Sequence, residues 1–367
     1  MLMRFPIKSL TKMKLDMLKK IAVAVIPAIT ISATTAVLAQ AARDHITVVG
    51  AFTGVPLATA VAERFIKISG MKMPRIEANT TGGGFKSFCA GTGIETPDAT
   101  TATRRIRPAE VELCEKNGVK DIIEVKFGYD ALVPAHATGG RINSLNRKDL
   151  FLAMAKDVPD PKNESRLIPN PYKTWKEINP ALPDAKIQIT GPGPTIGSYD
   201  ALINYIMVAG CKQFSSIGAL ESADPKAFDS ACKTFRKDGA YSEFSNYDTV
   251  LQELKNTPDL LGIIGFSMSR AAKLNNPALD GIEPTLLSVS RQEYALTFPL
   301  YLYVKKAHVG TVPGIKEYLA EFTSENALSV TGYLFDKGVV PMPFAERQQV
   351  RTGAAALARL VLQAKPQ

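Results

Sequence analysis

Gly191-Pro-Gly-Pro-Thr-Ile-Gly-Ser-Tyr-Asp200, running into Ala201–Cys211, is the stretch whose reading decides the fold. A β-like run, Lys186–Thr190, leads into this loop of Gly, Pro and Thr. The segment beyond is apolar at helical spacing: Leu202, Ile206 and Ala209 share a face, with Ile203 and Met207 beside them. A strand that passes through such a loop into a helix leaves backbone N–H groups unpaired at the helix start. They lie at the positive end of the helix dipole, a place that suits an anion. Thr195 and Ser198 add hydroxyl donors. Taken alone, the stretch is an ordinary capped loop with Ser198 as N-cap. Its weight comes from repetition.

Working outward, the same strand–loop–helix junction recurs near 50–57, 79–85 and 103–109. A strand over Ile46–Val49 ends in Gly50-Ala-Phe-Thr-Gly-Val-Pro56, and Leu57, Val61 and Phe65 then keep helical spacing. A second strand, Arg75–Ala78, enters Asn79-Thr-Thr-Gly-Gly-Gly84, with a helix resuming at Phe85–Ala90. The three glycines would let backbone approach a ligand closely. Pro97–Thr103 is followed by Arg104-Arg105-Ile106-Arg107 and a helix, Ala109–Lys116, led by Pro108 and stopped by Asn117-Gly118. Arg104 and Arg105 occupy the position the other loops occupy, and a guanidinium is shaped for bidentate contact with a tetrahedral oxyanion. Further strands are predicted at Ile122–Phe127, Ala131–Ala135, Leu261–Phe266, Leu286–Val289 and Pro299–Lys305. Helices are predicted at Pro225–Phe235, Asp248–Asn256, Pro313–Thr323 and Glu346–Leu362, and the only tryptophan, Trp175, is a packing anchor. Strands and helices alternate throughout, which implies α/β layers. Helix N-termini converging from several junctions would cradle a small anion between two lobes.

The 367 residues suffice for two sizeable cores, and the first forty or so stand apart. Residues 1–20 carry six Lys and Arg against Asp16, Ile21–Leu38 is apolar, and small residues at Ala39 and Ala41 suit cleavage. Residues 1–41 read as a cleavable secretory signal peptide, so the mature protein is expected to be exported. Their removal lowers the formal charge from +9 to +4, so the basic balance is no nucleic-acid footprint. All four cysteines, Cys89, Cys114, Cys211 and Cys232, lie beyond the leader, and export favours disulfides. Of three connectivities, Cys89–Cys114 and Cys211–Cys232 each close a local loop within one domain; four free thiols are the alternative. His45, His136 and His308 are scattered, and no His-Glu-x-x-His, Gly-x-Ser-x-Gly or metal-spaced Cys/His set occurs. Gly191–Ser198 has neither the spacing nor the lysine of a P-loop. An enzyme is therefore disfavoured, and no cofactor or metal is expected.

At this point the chain resembles the periplasmic phosphate-binding component of bacterial phosphate ABC importers. The marks are Thr81-Gly-Gly-Gly-Phe-Lys86 with Phe88-Cys-Ala-Gly91, Pro97-Asp98 ahead of Arg104-Arg105, and Asn170-Pro-Tyr-Lys-Thr-Trp175. Gly191-Pro-x-Pro-Thr195, Lys237-Asp-Gly-Ala-Tyr241, Leu261-Gly-Ile-Ile-Gly-Phe266, Pro299–Gly310 and Leu319–Ser324 continue it. The resemblance implies an α/β, two-lobe periplasmic binding protein fold of type II. Residues 42–132 and 296–367 would form lobe 1 and 133–295 lobe 2, joined by crossings near Val125–Ala137 and Tyr294–Val304. It implies a monomer that captures inorganic phosphate and docks on a membrane permease, and that catalyses nothing. The family's phosphate-contacting positions fall on Thr53, Gly54 and Val55, on Thr80 and Thr81, on Thr103 and Arg104, and on Ile196, Gly197 and Ser198. The residue reading adds Gly82, Arg105 and Thr195. The chain departs from the family at Ile196, where a hydroxyl is usual, and at Tyr199, where an arginine is usual. The family's pocket aspartate, which accepts the anion's proton, aligns with Arg104. Those departures leave two alternatives open: a receptor for another oxyanion such as sulfate or molybdate, or a degenerate, weakly binding member.

Overall fold

The computed structural model describes residues 43–194 and 196–361. The expected leader and Thr195 lie outside the described residues. An eight-stranded sheet organises the rest. Its strands are β1 (Thr47–Ala51), β2 (Arg75–Asn79), β3 (Ala99–Ala102), β4 (Ile122–Ala135), β5 (Ile189–Pro192), β6 (Tyr241–Phe244), β7 (Leu261–Gly265) and β8 (Thr297–Lys305), in the order β2-β1-β3-β8-β4-β7-β5-β6. β1, β2 and β3 run parallel, as do β5, β6 and β7. Between these half-sheets, β8 and β4 pair antiparallel. β4 changes partner along its length, pairing with β8 over 122–131 and with β7 over 132–135. One buried cluster runs from Val48 and Phe65 through Tyr129 and Leu132 to Ile189, Leu202 and Leu261. The half-sheets thus share a continuous core, and the described residues form one compact unit.

Each parallel strand ends in a loop that opens a helix, and three of those helices matter below: α1 (Gly54–Ser69), α2 (Thr81–Phe88) and α3 (Pro108–Lys116). Both disulfides pair as read from the sequence, Cys89–Cys114 and Cys211–Cys232. Trp175 is fully buried.

Several elements differ from the sequence reading. Gly82, Gly83 and Gly84 are inside α2, because Thr80 caps the helix by accepting the Gly83 N–H at 3.0 Å. Two of the three serve packing there: a Cβ on Gly84 would lie 2.9 Å from the Gly50 Cα and one on Gly83 would lie 2.1 Å from Asn79 Oδ1, whereas one on Gly82 would meet nothing within 4 Å. Leu286–Ser290 is a helix, not a strand, since Thr285 and Ser288 form a capping box. The sequence reading places two strands, Ile122–Phe127 and Ala131–Ala135, with Gly128-Tyr-Asp130 between them, yet β4 is continuous. It absorbs a register shift opposite Leu300 and Tyr301, with Gly128 at φ 154° where a Cβ would strike Val339. The helix expected over Ala201–Cys211 contains a π-helical segment, Leu202–Val208. The last helix spans Phe344–Ala355 and stops short of Leu362, with Leu357 in the left-handed region at φ 50°.

Candidate functional site: a cleft at the carboxyl ends of the strands

In a parallel sheet the carboxyl end of each strand feeds a helix N-terminus, so ligands gather there. The loops after β1, β5, β6 and β7 converge with β4 around a chamber of about 180 Å³. Thr53 comes from the first half-sheet, Gly197, Ser198, Tyr247 and Ser267 come from the second, and Asp130 comes from β4 between them. Thr53 is the N-cap of α1 but makes no side-chain cap bond, so its hydroxyl is not spent on its own helix. Gly54 is needed for packing, since a Cβ there would lie 2.3 Å from Thr101 Oγ1. Gly197 meets Thr53 across the cleft; a Cβ on Gly197 would lie 2.3 Å from the Thr53 amide nitrogen. The Ser198 hydroxyl is 3.3 Å from that of Tyr247.

Beyond the Thr53–Gly197 contact the cleft narrows. Thr80 and Thr81 oppose Ile196, Gly197 and Tyr199 around a gap of about 10 Å³, room for about one water-sized particle. It widens again to about 260 Å³, lined by Thr81, Thr103, Arg104, Arg107, Asn204 and Tyr205, with Asp200 at the edge of both spaces. The expected ligand residues thus fall in two groups. Thr53, Gly197 and Ser198 line the first chamber; Thr81, Thr103 and Arg104 line the second; Thr80 stands between. Gly54, Val55 and Gly82 sit in the first turns of α1 and α2 rather than on a cavity wall.

Hydrogen bonds set what each group is free to do. The Thr81 and Thr103 hydroxyls are 3.1 Å apart, and Thr81 Oγ1 also accepts the Thr103 N–H at 3.3 Å. Arg104 donates to both carboxylate oxygens of Glu110, at 2.8 and 2.7 Å, and lies over the Phe85 ring. Burial pushes the Glu110 carboxyl up, but the Arg104 guanidinium and the Arg107 N–H outweigh it and hold the carboxyl below its usual range. Arg104 therefore reaches the cleft as half of an ion pair. Arg105 is turned to Glu124, through Nε at 2.9 Å and Nη2 at 2.9 Å, and to the Val361 carbonyl, and it lines neither chamber. The three histidines also lie outside the cleft. His45 pairs with Asp44, His136 sits between the Ala137 and Ile142 carbonyls, and His308 lies between Asp98 and the Thr92 carbonyl.

Asp130 is the residue that sequence reasoning missed. Burial pushes its carboxyl up to about 7, while the Ala131 N–H, 2.8 Å from Oδ1, pulls the other way. No Lys or Arg among the described residues donates to it, and its other oxygen has no hydrogen-bond partner among them. Among the described residues the only cation lining the chamber is Lys337, which is exposed. The available signal was an acid inside a strand otherwise buried throughout its second half, set in a Gly-Tyr-Asp sequence read as a break.

A two-part α/β sheet with its site between the strand ends of both parts is the fold of type II periplasmic binding proteins. The chain belongs to the PBP superfamily, whose domain matches residues 35–326. Protein SphX of Synechococcus elongatus is 30% identical over 162 residues, covering 44% of this chain and 44% of that protein. Phosphate-binding protein PstS of Staphylococcus saprophyticus is 22% identical over 295 residues, covering 80% of this chain and 79% of that protein. Among solved structures, a possible phosphate binding protein from Planctomyces limnophilus superposes with TM-score 0.63 at 23% identity, covering 86% of this chain and 99% of that one.

Proposed function

We propose that this protein is the solute receptor of an ABC importer and that it captures inorganic phosphate between its two half-sheets. One observation carries the reading: the α1 N-terminus with Thr53, and the Gly197-Ser198 loop, meet backbone to backbone across the cleft. An anion held there would bridge the halves and favour their closed arrangement, and closure is the signal a permease can read. The name of the Staphylococcus saprophyticus relative supports phosphate as that anion.

The residues divide the work by chemistry. Thr53 and Ser198 supply hydroxyl donors, and the α1 N-terminus supplies backbone N–H groups and positive potential. Asp130 supplies an acceptor. Hydrogen phosphate brings a hydrogen-bond donor for its ionised form, whereas sulfate has none and, above about pH 7, would face an unpaired carboxylate. The task the resemblance assigned to an aspartate in the Arg104 position thus passes to β4. Thr80, Thr81, Thr103 and Arg104 form the adjoining wall, and Arg104 adds charge to the extent that Glu110 leaves it. In this reading the lobes divide at 132/133, one residue beyond the point where β4 changes partner, and at 295/296, shortly before β8 begins. Residues 1–41 direct export, the mature protein works as a periplasmic monomer, and it binds its ligand without transforming it.

Calorimetric titration with phosphate and then sulfate tests this. One-to-one phosphate binding at least a hundredfold tighter than sulfate is expected. Equal affinities would leave an unselective oxyanion receptor, and no phosphate heat from the folded protein would leave the degenerate member that Ile196 and Tyr199 suggest.

A further inference from the structure

The chamber holding Asp130 is larger than inorganic phosphate requires. Phosphate has five heavy atoms, whereas about 180 Å³ offers on the order of ten water-sized positions. The surplus has a defined chemistry. The wall around Asp130 is mainly apolar, built from Pro56, Leu57, Met268, Leu300 and Val339. Thr53, Ser198, Tyr247 and Ser267 bring hydroxyls to it, and those of Ser198 and Tyr247 lie beside each other, 3.3 Å apart. The carboxyl is held from behind by the Ala131 N–H, so its remaining acceptor capacity faces the chamber. An apolar wall with one oriented acceptor fits a short carbon chain ending in a hydrogen-bond donor. The narrow gap at Ile196 and Tyr199 closes the opposite side, so a group attached to the anion would extend toward Asp130.

We propose that this chamber is a subsite for an organic substituent, and that the protein's ligands include small phosphonates or phosphate monoesters whose substituent carries an N–H or O–H donor. The proposal rests on the phosphate reading above and narrows its substrate class. The anion end occupies Thr53, Gly197 and Ser198. The substituent lies along Leu57, Met268 and Val339, and its donor meets Asp130. With inorganic phosphate the same carboxyl takes the P–OH proton instead. An ammonium or hydroxyl group there gives the partly buried carboxyl a partner for its free oxygen, which a plain alkyl group leaves without one.

The test is calorimetric titration of the anion-free protein with inorganic phosphate, 2-aminoethylphosphonate and methylphosphonate at pH 7. The expected result is that 2-aminoethylphosphonate binds at least tenfold tighter than methylphosphonate. Asp130→Asn, checked for folding by circular dichroism, should bring that ratio close to one. Met268→Trp, which fills the chamber from the other wall, should also shrink it. Phosphate binding with no heat from either phosphonate would overturn the subsite and leave the phosphate reading standing. Phosphonates binding with equal affinity would overturn the role of Asp130 in recognising the substituent, and no binding of any of the three would bring down both readings.

Discussion

The two loops that meet in the cleft are built differently. On one side Thr80 caps α2, glycines let that helix press onto β1 and β3, and Cys89–Cys114 ties its far end to α3. Arg104 and Glu110 close the same corner with a bidentate ion pair. On the other side the loop from Gly193 to Ser198 leads into a three-residue helical turn, Tyr199–Ala201, and then a π-helical segment. No Lys or Arg occurs from Ile187 to Cys211. One side is a braced wall bearing hydroxyls and charge, and the other meets it with backbone. Rigid donors fixed in advance cost little ordering on binding, while a closing side without Lys or Arg does not repel the Arg104 wall before the ligand arrives.

That contrast can be broken most directly at Gly197. Gly197→Val places side-chain atoms against the Thr53 amide and should keep the halves apart. Overpacking of about 2–3 kcal/mol corresponds to roughly a 30- to 150-fold loss of phosphate affinity. Calorimetry reads it, and a loss under threefold would mean the two loops do not meet in the bound state. Next come the braces. Replacing Cys89 and Cys114 by serine, or Cys211 and Cys232, should each lower unfolding stability by about 3 kcal/mol through the loop each bond closes. Denaturant unfolding measures both. Only the first pair should also weaken binding by more than the second, because α2 carries Thr80 and Thr81.

Asp130 supplies a pH test that separates the cleft from both walls. Its carboxyl, up at about 7 in the folded protein, stays protonated where the unfolded chain has already released its proton. The folded state therefore binds more protons between about pH 4 and 7, and this group makes the ligand-free protein less stable as pH rises through that window. Asp130→Asn should flatten that slope and raise Tm at pH 8 by roughly 2–4 °C, the shift about 1 kcal/mol produces in a large domain. A thermal series from pH 4 to 8 with no difference from the parent protein would mean that the Asp130 carboxyl is not raised in the folded state. The smallest effect separates two neighbouring arginines. Arg104→Ala should weaken phosphate binding about tenfold, the cost of losing a charged hydrogen bond at the cleft wall. Arg105→Ala, which gives up a bond to Glu124 away from both chambers, should change it less than twofold.

Much of this was legible in the residues. The alternating elements, the junctions at 50–57, 79–85, 103–109 and 191–199, and both cysteine pairs follow from local patterns: helical spacing, a proline or hydroxyl at a helix start, loop length between cysteines. Three readings failed for one reason. Asn79–Gly84 looked like a loop throughout, Gly128-Tyr-Asp130 looked like a gap between strands, and Leu286–Val289 looked like a strand. In each case composition was read without the neighbour that decides it: β1 and β3 against the glycines, β8 and Val339 against Gly128, and the Thr285–Ser288 capping box at the helix start.

By itself the sequence determined the α/β class, the family and which loops could carry an anion, because those depend on spacing along the chain and on motifs. Only the tertiary structure decided how the loops share the work. Arg104 and Arg105 are adjacent in the chain, but one faces the cleft beside Glu110 and the other faces Glu124. Asp130 lies far in sequence from Thr53 and Ser198, yet a strand that swaps partners at mid-length brings it between them. Charge, burial and cavity shape are properties of such long-range neighbours, and no local pattern encodes them.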